Sequence, residues 1–114
     1  MEIKIKRVYE QPEAQDGTRI LVDRLWPRGL NKEKAKIDLW MKNMAPSNDL
    51  RKWYGHEPVK WEEFKKRYFA ELEGRAEEVE RLASIIKKGR VTFLYSSKEE
   101  KINNAHALKL YIEK

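Results

Sequence analysis

The sequence predicts an α/β domain of the three-layer, Rossmann-like kind, in which helices flank a small and mainly parallel sheet. The first observation behind this prediction is VTFLY, Val91 to Tyr95, a continuous β-branched and aromatic run typical of a strand covered on both faces. The second is the pair of amphipathic stretches that precede this run. The third is the succession of strand, short turn and helix at the C-terminal end. A chain of 114 residues suits a single domain, residues 1–114, with one core.

The first half of the chain contains two predicted strands and the candidate for a third. IKIKRV, Ile3 to Val8, alternates apolar and basic residues as a half-exposed strand does, and RILVD, Arg19 to Asp23, has the composition of a more buried strand. The loop between them is short, so a hairpin and a parallel pair both stay open. Asn31 is expected to cap a helical turn. The segment from Ile37 to Ser47 is expected to hold a third strand that Pro46 ends.

The second half is mainly helical before VTFLY. Ser47 is expected to cap a short helix that Gly55 closes, and Pro58 suits the first turn of the next helix. That helix has an aromatic stripe, and Gly74 separates it from a second amphipathic helix. The two stripes consist of Trp61, Phe64, Tyr68 and Leu72, and of Ala76, Val79, Leu82, Ala83 and Ile86.

The composition excludes several classes of function. The chain has no cysteine, which excludes disulfides, thiolate metal sites and cysteine nucleophiles. Charged residues make up 39% of the sequence, and the two signs are interleaved around a net charge of +6, as on the mixed-charge surfaces of proteins from hot environments. No apolar run is long enough to span a membrane and the N-terminus lacks a signal-peptide core, so we expect a cytoplasmic protein without a membrane partner.

The stretch DRLWPRG, which follows the second predicted strand, is the first candidate site. Ligands of open α/β sheets bind beyond the carboxyl ends of the strands. Arg24 and Arg28 would clamp a carboxylate or phosphate, and Trp26 would offer a stacking surface. Asp23 would orient an arginine or act as a general base. The structural alternative is that Asp23 pairs with one of the two arginines and that Trp26 only covers the sheet edge.

His56, in WYGHEP, is the second candidate. A histidine in a tight turn between two helices can act as an acid or base near neutral pH, or it can simply bond to a helix end. His56 and His106 alone make a poor metal site, and the sequence contains no Gly-rich phosphate loop. We therefore expect no metal and no cofactor.

The turn after VTFLY is the third candidate. Ser96 and Ser97 would present hydroxyls and backbone amides to an anion at a helix N-terminus. Two capping-box patterns, Ser96 with Glu99 and Ser97 with Glu100, instead indicate a structural helix start. Asn103 and Asn104 are poor residues for the middle of a helix. They favour a later helix start with an Asn cap, or amides that take part in binding.

DRLWPRG, WYGHEP, the Trp-Phe-Tyr stripe and the Ser-Ser turn, in this order along nearly the whole chain, resemble the YeaO-like family of uncharacterised bacterial and archaeal proteins. The resemblance implies a compact α/β/α domain and supplies no function. Ile102 stands where the family pattern has a histidine, and Tyr95 and Asn103 stand where a more distant branch has cysteine and His-Arg, so thiol or metal chemistry does not carry over. The matching positions are Asp23, Arg24, Trp26, Pro27, Arg28, Gly29, Pro46, Ser47, Trp53, Gly55, His56, Trp61, Ser96, Ser97, Asn103 and Asn104.

Three functional hypotheses follow from these candidates. The leading one is a small-molecule-binding protein whose polar pocket accepts an anion, either a nucleotide or another phosphate- or carboxylate-bearing metabolite, with catalysis left open. The second is a nucleic-acid-binding or regulatory module without catalytic activity. The net charge of +6 and the lysines of NKEKAK support this hypothesis. The third is a protein that dimerises through exposed tryptophans, so monomer and homodimer both stay open.

Overall fold

Four parallel strands form a single sheet in the computed structural model, which describes residues 2–114. The strands are β1 (Ile3–Arg7), β2 (Thr18–Leu21), β3 (Leu39–Trp40) and β4 (Val91–Tyr95), in the spatial order β1-β4-β2-β3. β4 pairs with β1 on one side and with β2 on the other, and every pairing is parallel. The α/β prediction is confirmed. The question of how the first two strands are related is also answered, because they are parallel and β4 separates them.

The helical prediction is also largely confirmed. Ser47 caps a helix through a hydrogen bond that its Oγ accepts from the Leu50 N–H, and Gly55 closes that helix with a left-handed φ of 54°. In the described part of the chain, no helix combines the length and the apolar character that crossing a membrane requires. The helices are α1 (Lys32–Ala35), α2 (Asn48–Tyr54), α3 (Trp61–Glu73), α4 (Ala76–Lys87) and α5 (Asn104–Ile112), with single 3₁₀ turns at Ala14–Asp16, Lys42–Met44 and Pro58–Lys60.

The main core lies between one face of the sheet and α2 to α5. Alternate residues of β4, namely Val91, Phe93 and Tyr95, belong to this core. The predicted stripe of α3 faces them, with Tyr68 and Leu72 fully buried. The Tyr68 hydroxyl donates a hydrogen bond to the Met44 carbonyl, which connects α3 to the loop that follows β3.

The opposite face of the sheet is covered by much less protein. A smaller apolar cluster of Val8, Leu21, Ala35, Ile37 and Leu94 lies there, and α1 contributes only one turn of helix to it. The remainder of this face is occupied by charged side chains, which the sequence patterns did not indicate.

These charged side chains and the neutral Thr92 form the Asp16 cluster, which we define as Lys4, Lys6, Asp16, Arg19 and Thr92. Asp16 is fully buried, and its carboxylate lies 2.6 Å from Arg19 Nη1 and 3.1 Å from Lys6 Nζ. Lys4 approaches the same carboxylate at 3.2 Å, and the Thr92 hydroxyl donates to the Asp16 carbonyl at 2.8 Å. Every cation of the cluster therefore shares one buried acid.

The electrostatics of Asp16 follow from this arrangement. Burial alone would raise the pKa of its carboxyl group. The Glu13 backbone N–H and the cations of the Asp16 cluster donate hydrogen bonds to the carboxylate, and they hold its pKa well below the ordinary value. The carboxylate is thus ionised in the interior and fully hydrogen-bonded.

Several predicted boundaries are wrong. The second strand, predicted from Arg19 to Asp23, spans Thr18–Leu21. The third strand covers only Leu39–Trp40 of the segment from Ile37 to Ser47, because β2 ends at Leu21 and leaves later residues without a ladder partner. The capping boxes at Ser96 and Ser97 do not start a helix. α5 instead begins at Asn104, where the Asn103 side chain accepts the His106 N–H, as the alternative of a late Asn cap predicted.

Candidate functional site

A cavity of about 330 Å³ lies at the carboxyl ends of β2 and β4. The segments that follow these two strands line it together with the turn after α2, which is where open α/β sheets place their ligands. Every residue that the sequence analysis nominated for binding or catalysis is in its lining: Asp23, Arg24, Trp26, Arg28, His56, Ser96, Ser97, Asn103 and Asn104.

Asp23 connects the two strand ends that form the cavity. Its Oδ2 accepts hydrogen bonds from the Ser96 backbone N–H at 2.9 Å and from the Ser96 hydroxyl at 2.8 Å. Its Oδ1 accepts one from Asn104 Nδ2 at 3.1 Å, and the same amide group donates to the Val22 carbonyl at 2.9 Å. The side chain of Asp23 therefore fixes the Ser-Ser turn and the start of α5 against the end of β2.

The structural alternative for Asp23 is wrong in its choice of partner. The carboxylate bonds to Ser96 and Asn104, and neither Arg24 nor Arg28 forms an ion pair with it among residues 2–114. Burial raises the pKa of Asp23, and the hydrogen bonds from Ser96 and Asn104 only partly offset this rise.

Replacing Ser96 by alanine is expected to raise the pKa of Asp23 further, because the lost hydroxyl donates to the charged form. It should also cost about 1.5–3 kcal/mol of stability, the usual range for a hydrogen bond to a charged group. Since the folded-state pKa is raised, protonation of Asp23 favours the folded state, and this contribution is lost as pH rises through that pKa. The stability lost as pH rises should be larger in the Ser96→Ala variant than in wild type.

A ¹³C NMR titration of the aspartate carboxyl groups, with denaturant unfolding at several pH values, measures both quantities. Ser97→Ala is the matched control, because the Ser97 hydroxyl accepts from the Glu99 N–H and does not contact Asp23. A pKa of Asp23 that is the same in Ser96→Ala and wild type would contradict this prediction.

Arg24 lines the cavity, but its guanidinium group donates hydrogen bonds to backbone carbonyls. Its Nε donates to the Pro46 carbonyl at 2.9 Å and its Nη2 to the Ala45 carbonyl at 3.2 Å. Arg75 Nη1 also donates to the Ala45 carbonyl, at 2.6 Å. Two of the five N–H donors of Arg24 therefore hold one wall of the cavity, and its role as an anion anchor stays a prediction.

Arg28 and Arg51 are the exposed cations of the lining. In the part of the chain that the structure describes, neither guanidinium group forms an ion pair. Arg28 is held through its backbone, since the Tyr9 hydroxyl donates to its carbonyl oxygen at 3.0 Å. Arg51 has one long contact of 3.5 Å to Asn48 Oδ1. Both arginines therefore keep donors for a bound anion.

His56 lies beside these arginines in a strained turn. Its φ of 59° is in the left-handed region, directly after Gly55 at 54°. The ring is exposed, and its centroid lies 6.1 Å from that of Tyr54. Residues held in this region of φ often belong to functional sites, because their cost in free energy must be offset elsewhere.

Aromatic and proline side chains form the apolar part of the lining. Tyr54 and Phe64 are stacked with their ring centroids 4.3 Å apart, and the Tyr54 hydroxyl donates to the Ile102 carbonyl. Trp26 is half-buried and its Nε1 donates to the Leu30 carbonyl at 3.0 Å, so its ring orientation is fixed. Pro27 and Pro46 complete the flat surfaces.

Ser97 and Asn103 have structural roles in addition to their place in the lining. Asn103 is buried, its Nδ2 donates to the Glu99 carbonyl at 2.8 Å, and its Oδ1 caps α5. The carbonyls of Ser96 and Ser97 both accept from the guanidinium group of Arg7, at 3.0 and 2.9 Å. The sequence indicated the Asn103 cap, but it could not indicate the contacts of Arg7.

Several residues that line or support the cavity were not predicted from the sequence, and four of them matter for its chemistry. Arg51, Tyr54 and Phe64 line the cavity, and Arg7 holds the Ser-Ser turn. The sequence indicates weakly that Arg51 and Tyr54 lie together, because residues three apart share a face of a helix. Nothing in the sequence pattern points to Phe64, which belongs to the apolar stripe of α3 and reads as a core residue.

Taken together, the lining combines one half-buried acid, apolar side chains and two exposed arginines. Within residues 2–114, no group of three or more histidine, cysteine, aspartate or glutamate side chains is placed so that it could hold a metal ion. Arginine forks and aromatic surfaces bind anions and rings by hydrogen bonding and stacking.

Comparisons with known proteins agree on one group of uncharacterised relatives. The family model described as the inactive DUF488-N3 subclade matches residues 2–114. The uncharacterized protein YeaO of Escherichia coli (strain K12) is 47% identical over 108 residues, which cover 95% of this chain and 94% of that protein. An uncharacterized protein of Mycobacterium tuberculosis (strain H37Rv) is 45% identical over 74 residues, 65% of this chain and 63% of that relative. No solved structure matches the chain.

Proposed function

We propose that this chain, which belongs to the family described as the inactive DUF488-N3 subclade and to the YeaO-like proteins that the sequence motifs indicated, binds a small anionic metabolite without transforming it. The ligand would occupy the cavity at the ends of β2 and β4. Its anionic group, a phosphate or a carboxylate, would contact Arg28 and Arg51.

The observation that carries this proposal is the presence of two exposed guanidinium groups without an acidic partner on one cavity. Arg28 and Arg51 come from different elements, line the same space and have no acidic partner among residues 2–114. Cations without an acidic partner are common in this chain, which has 25 lysines and arginines and 19 acidic residues. What distinguishes Arg28 and Arg51 is that both are exposed and line one cavity, where a ligand would supply the anion.

The word "inactive" in the family description supports binding without catalysis. Asp23 has a structural role, since its carboxylate bonds to Ser96 and Asn104, and its role as a general base stays a prediction. His56 as an acid or base stays a prediction.

The experiment is a thermal-unfolding screen of the purified protein against nucleotides, sugar phosphates and di- and tricarboxylates. A ligand at one hundred times its dissociation constant should stabilise the fold by about 2.7 kcal/mol. Each hit is then titrated by calorimetry into wild type, Arg28→Gln, Arg51→Gln and the control Arg81→Gln. The control removes the same charge from an exposed residue of α4 that does not line the cavity.

We expect the two cavity variants to lose at least tenfold in affinity and the control to match wild type. An equal loss in all three variants would mean that net charge alone attracts the ligand, and the proposal would be wrong. A screen in which no anion stabilises the protein would also refute it.

The nucleic-acid alternative has weaker support. Lys32, Lys34 and Lys36 are exposed at α1, but none of them lines the cavity and Glu33 lies among them. If this alternative held, binding to DNA or RNA would weaken steeply as salt rises and would depend on the lysines of α1. The dimer hypothesis likewise stays a prediction, with Trp40, at 38% exposure, the most exposed of the tryptophans.

A further inference from the structure

We infer that the ligand of the cavity is a phosphate monoester of a compound with one flat ring system, of the size of a nucleoside monophosphate. This inference rests on the proposed function and narrows it from anions in general to one chemical class. Three features of the lining lead to it: its charge, the number of its donors and the shape of its apolar part.

The charge of the lining favours a dianion. Arg24, Arg28 and Arg51 face a single acid, Asp23, so the lining has an excess of two positive charges when His56 is neutral. A phosphate monoester has close to two negative charges at neutral pH, because its second pKa is about 6. A monocarboxylate would leave one of these charges without a partner in a partly enclosed site.

The donors of the lining favour phosphate geometry. Arg28 and Arg51 each offer a planar fork, from the loop after β2 and from α2. Phosphate has three terminal oxygens and accepts from two forks at once. A carboxylate has only two oxygens, so two bidentate arginine forks would have to share both of them, whereas the three oxygens of phosphate let two forks share only one.

The remainder of the lining favours a ring. Trp26 is half-buried, and its exposed part offers an aromatic surface whose orientation the hydrogen bond to Leu30 fixes. Tyr54 and Phe64 are 5% and 2% exposed, so this stacked pair supports the lining from within the core. Asp23 has about four acceptor positions and the described residues use three of them, so one stays open for a ring N–H or a hydroxyl.

The size of the cavity sets an upper limit on the ligand. At about 330 Å³ it lies at the lower end of the range of small-molecule sites, which runs from roughly 300 to 1,000 Å³. One ring system with a sugar and a phosphate matches this space, whereas a dinucleotide cofactor would not. Free mononucleotides and the 5′-phosphorylated ends of nucleic acids share this chemistry, and we assign the cavity to the free compound.

Calorimetry tests the inference with the four common nucleoside 5′-monophosphates, their nucleosides, the matching triphosphates and a 5′-phosphorylated tetranucleotide. We expect at least one monophosphate to bind, its nucleoside to bind at least tenfold more weakly, and the triphosphate to gain nothing. Arg28→Gln and Arg51→Gln should each weaken the monophosphate at least tenfold, while Arg81→Gln stays within about twofold of wild type. Tenfold corresponds to about 1.4 kcal/mol.

The outcomes separate this inference from the proposed function. If carboxylates or sugar phosphates bind in an Arg28-dependent way and no mononucleotide does, the inference is wrong and the proposed function stands. A nucleoside that binds as tightly as its monophosphate also overturns it. Tighter binding of the tetranucleotide than of any mononucleotide would assign the cavity to nucleic-acid ends. If no anion binds, both proposals fail.

Discussion

Asp16→Asn is expected to lower the free energy of unfolding by about 3–5 kcal/mol, the usual cost of removing one partner from a buried ion pair. The substitution keeps the size of the side chain and removes its charge. Lys6 and Arg19, which are 8% and 3% exposed, would then stay buried without their common acid. Urea unfolding at neutral pH, followed by circular dichroism, measures the change.

Glu13→Gln is the matched control for Asp16→Asn. Glu13 also forms an ion pair with Lys6, at 3.1 Å, but its side chain is 49% exposed, so its removal should cost less than about 1 kcal/mol. Equal effects of the two substitutions would show that the buried cluster is not what stabilises this face of the sheet.

The Asp16 cluster should also make the protein sensitive to acid. The folded-state pKa of Asp16 is lowered, so its contribution is fully present above the ordinary pKa of 3.8 and is lost as pH falls towards the folded-state value. Wild type should therefore lose stability steeply below pH 3.8, and Asp16→Asn should lose less over the same interval. Parallel acid titrations of the two proteins would contradict this assignment.

Gly17→Ala is expected to destabilise the protein by about 2–6 kcal/mol, the sum of backbone strain and a steric clash. Gly17 has a φ of 66° and a ψ of −139°, a region that is essentially restricted to glycine. A Cβ at this position would lie 2.3 Å from the Arg90 carbonyl oxygen, which accepts the Thr18 N–H. Because the contact is with backbone, β2 or the start of β4 would have to move.

Gly29→Ala is the control for Gly17→Ala, because it introduces backbone strain without a steric clash. Gly29 has a φ of 71°, close to that of Gly17, but a Cβ there would meet nothing within 4 Å. Its replacement should cost only about 1–2 kcal/mol, the penalty for placing an L-residue in the left-handed region. Thermal and urea unfolding of both variants compare the two costs, and a Gly29→Ala effect as large as that of Gly17→Ala would exclude the clash as the cause.

The location of the site could be predicted from the sequence because it depends on topology. Asp23 and Ser96 each follow an apolar run that is recognisable as a strand, and parallel strands bring their carboxyl ends to the same edge of a sheet. No contact between side chains was needed for that prediction. His56 lies in the short turn after α2, which ends at Gly55, and this turn brings it to the same cavity as Asp23 and Ser96.

The roles of individual side chains could not be predicted, because they depend on loops that approach from elsewhere in the chain. Arg24 bonds to the carbonyls of Ala45 and Pro46, more than twenty residues later. The alternation of apolar and basic residues in β1 also led to a wrong expectation about which side chains face solvent. Lys6 occupies a position with the period of a solvent-facing residue, yet it is buried, because Asp16 from a turn-like segment folds over it.

The strand order has a consequence for how the chain is made in the cell. β4 lies at the centre of the sheet, although it is the last strand to leave the ribosome. Until residue 95 has emerged, β1 has no neighbour to pair with, and the aromatic stripe of α3 lacks the surface that later covers it. Non-local parallel pairing of this kind is slow and exposes nascent strands to aggregation. A chain whose translation stops before Val91 should therefore be a substrate for chaperones or proteases.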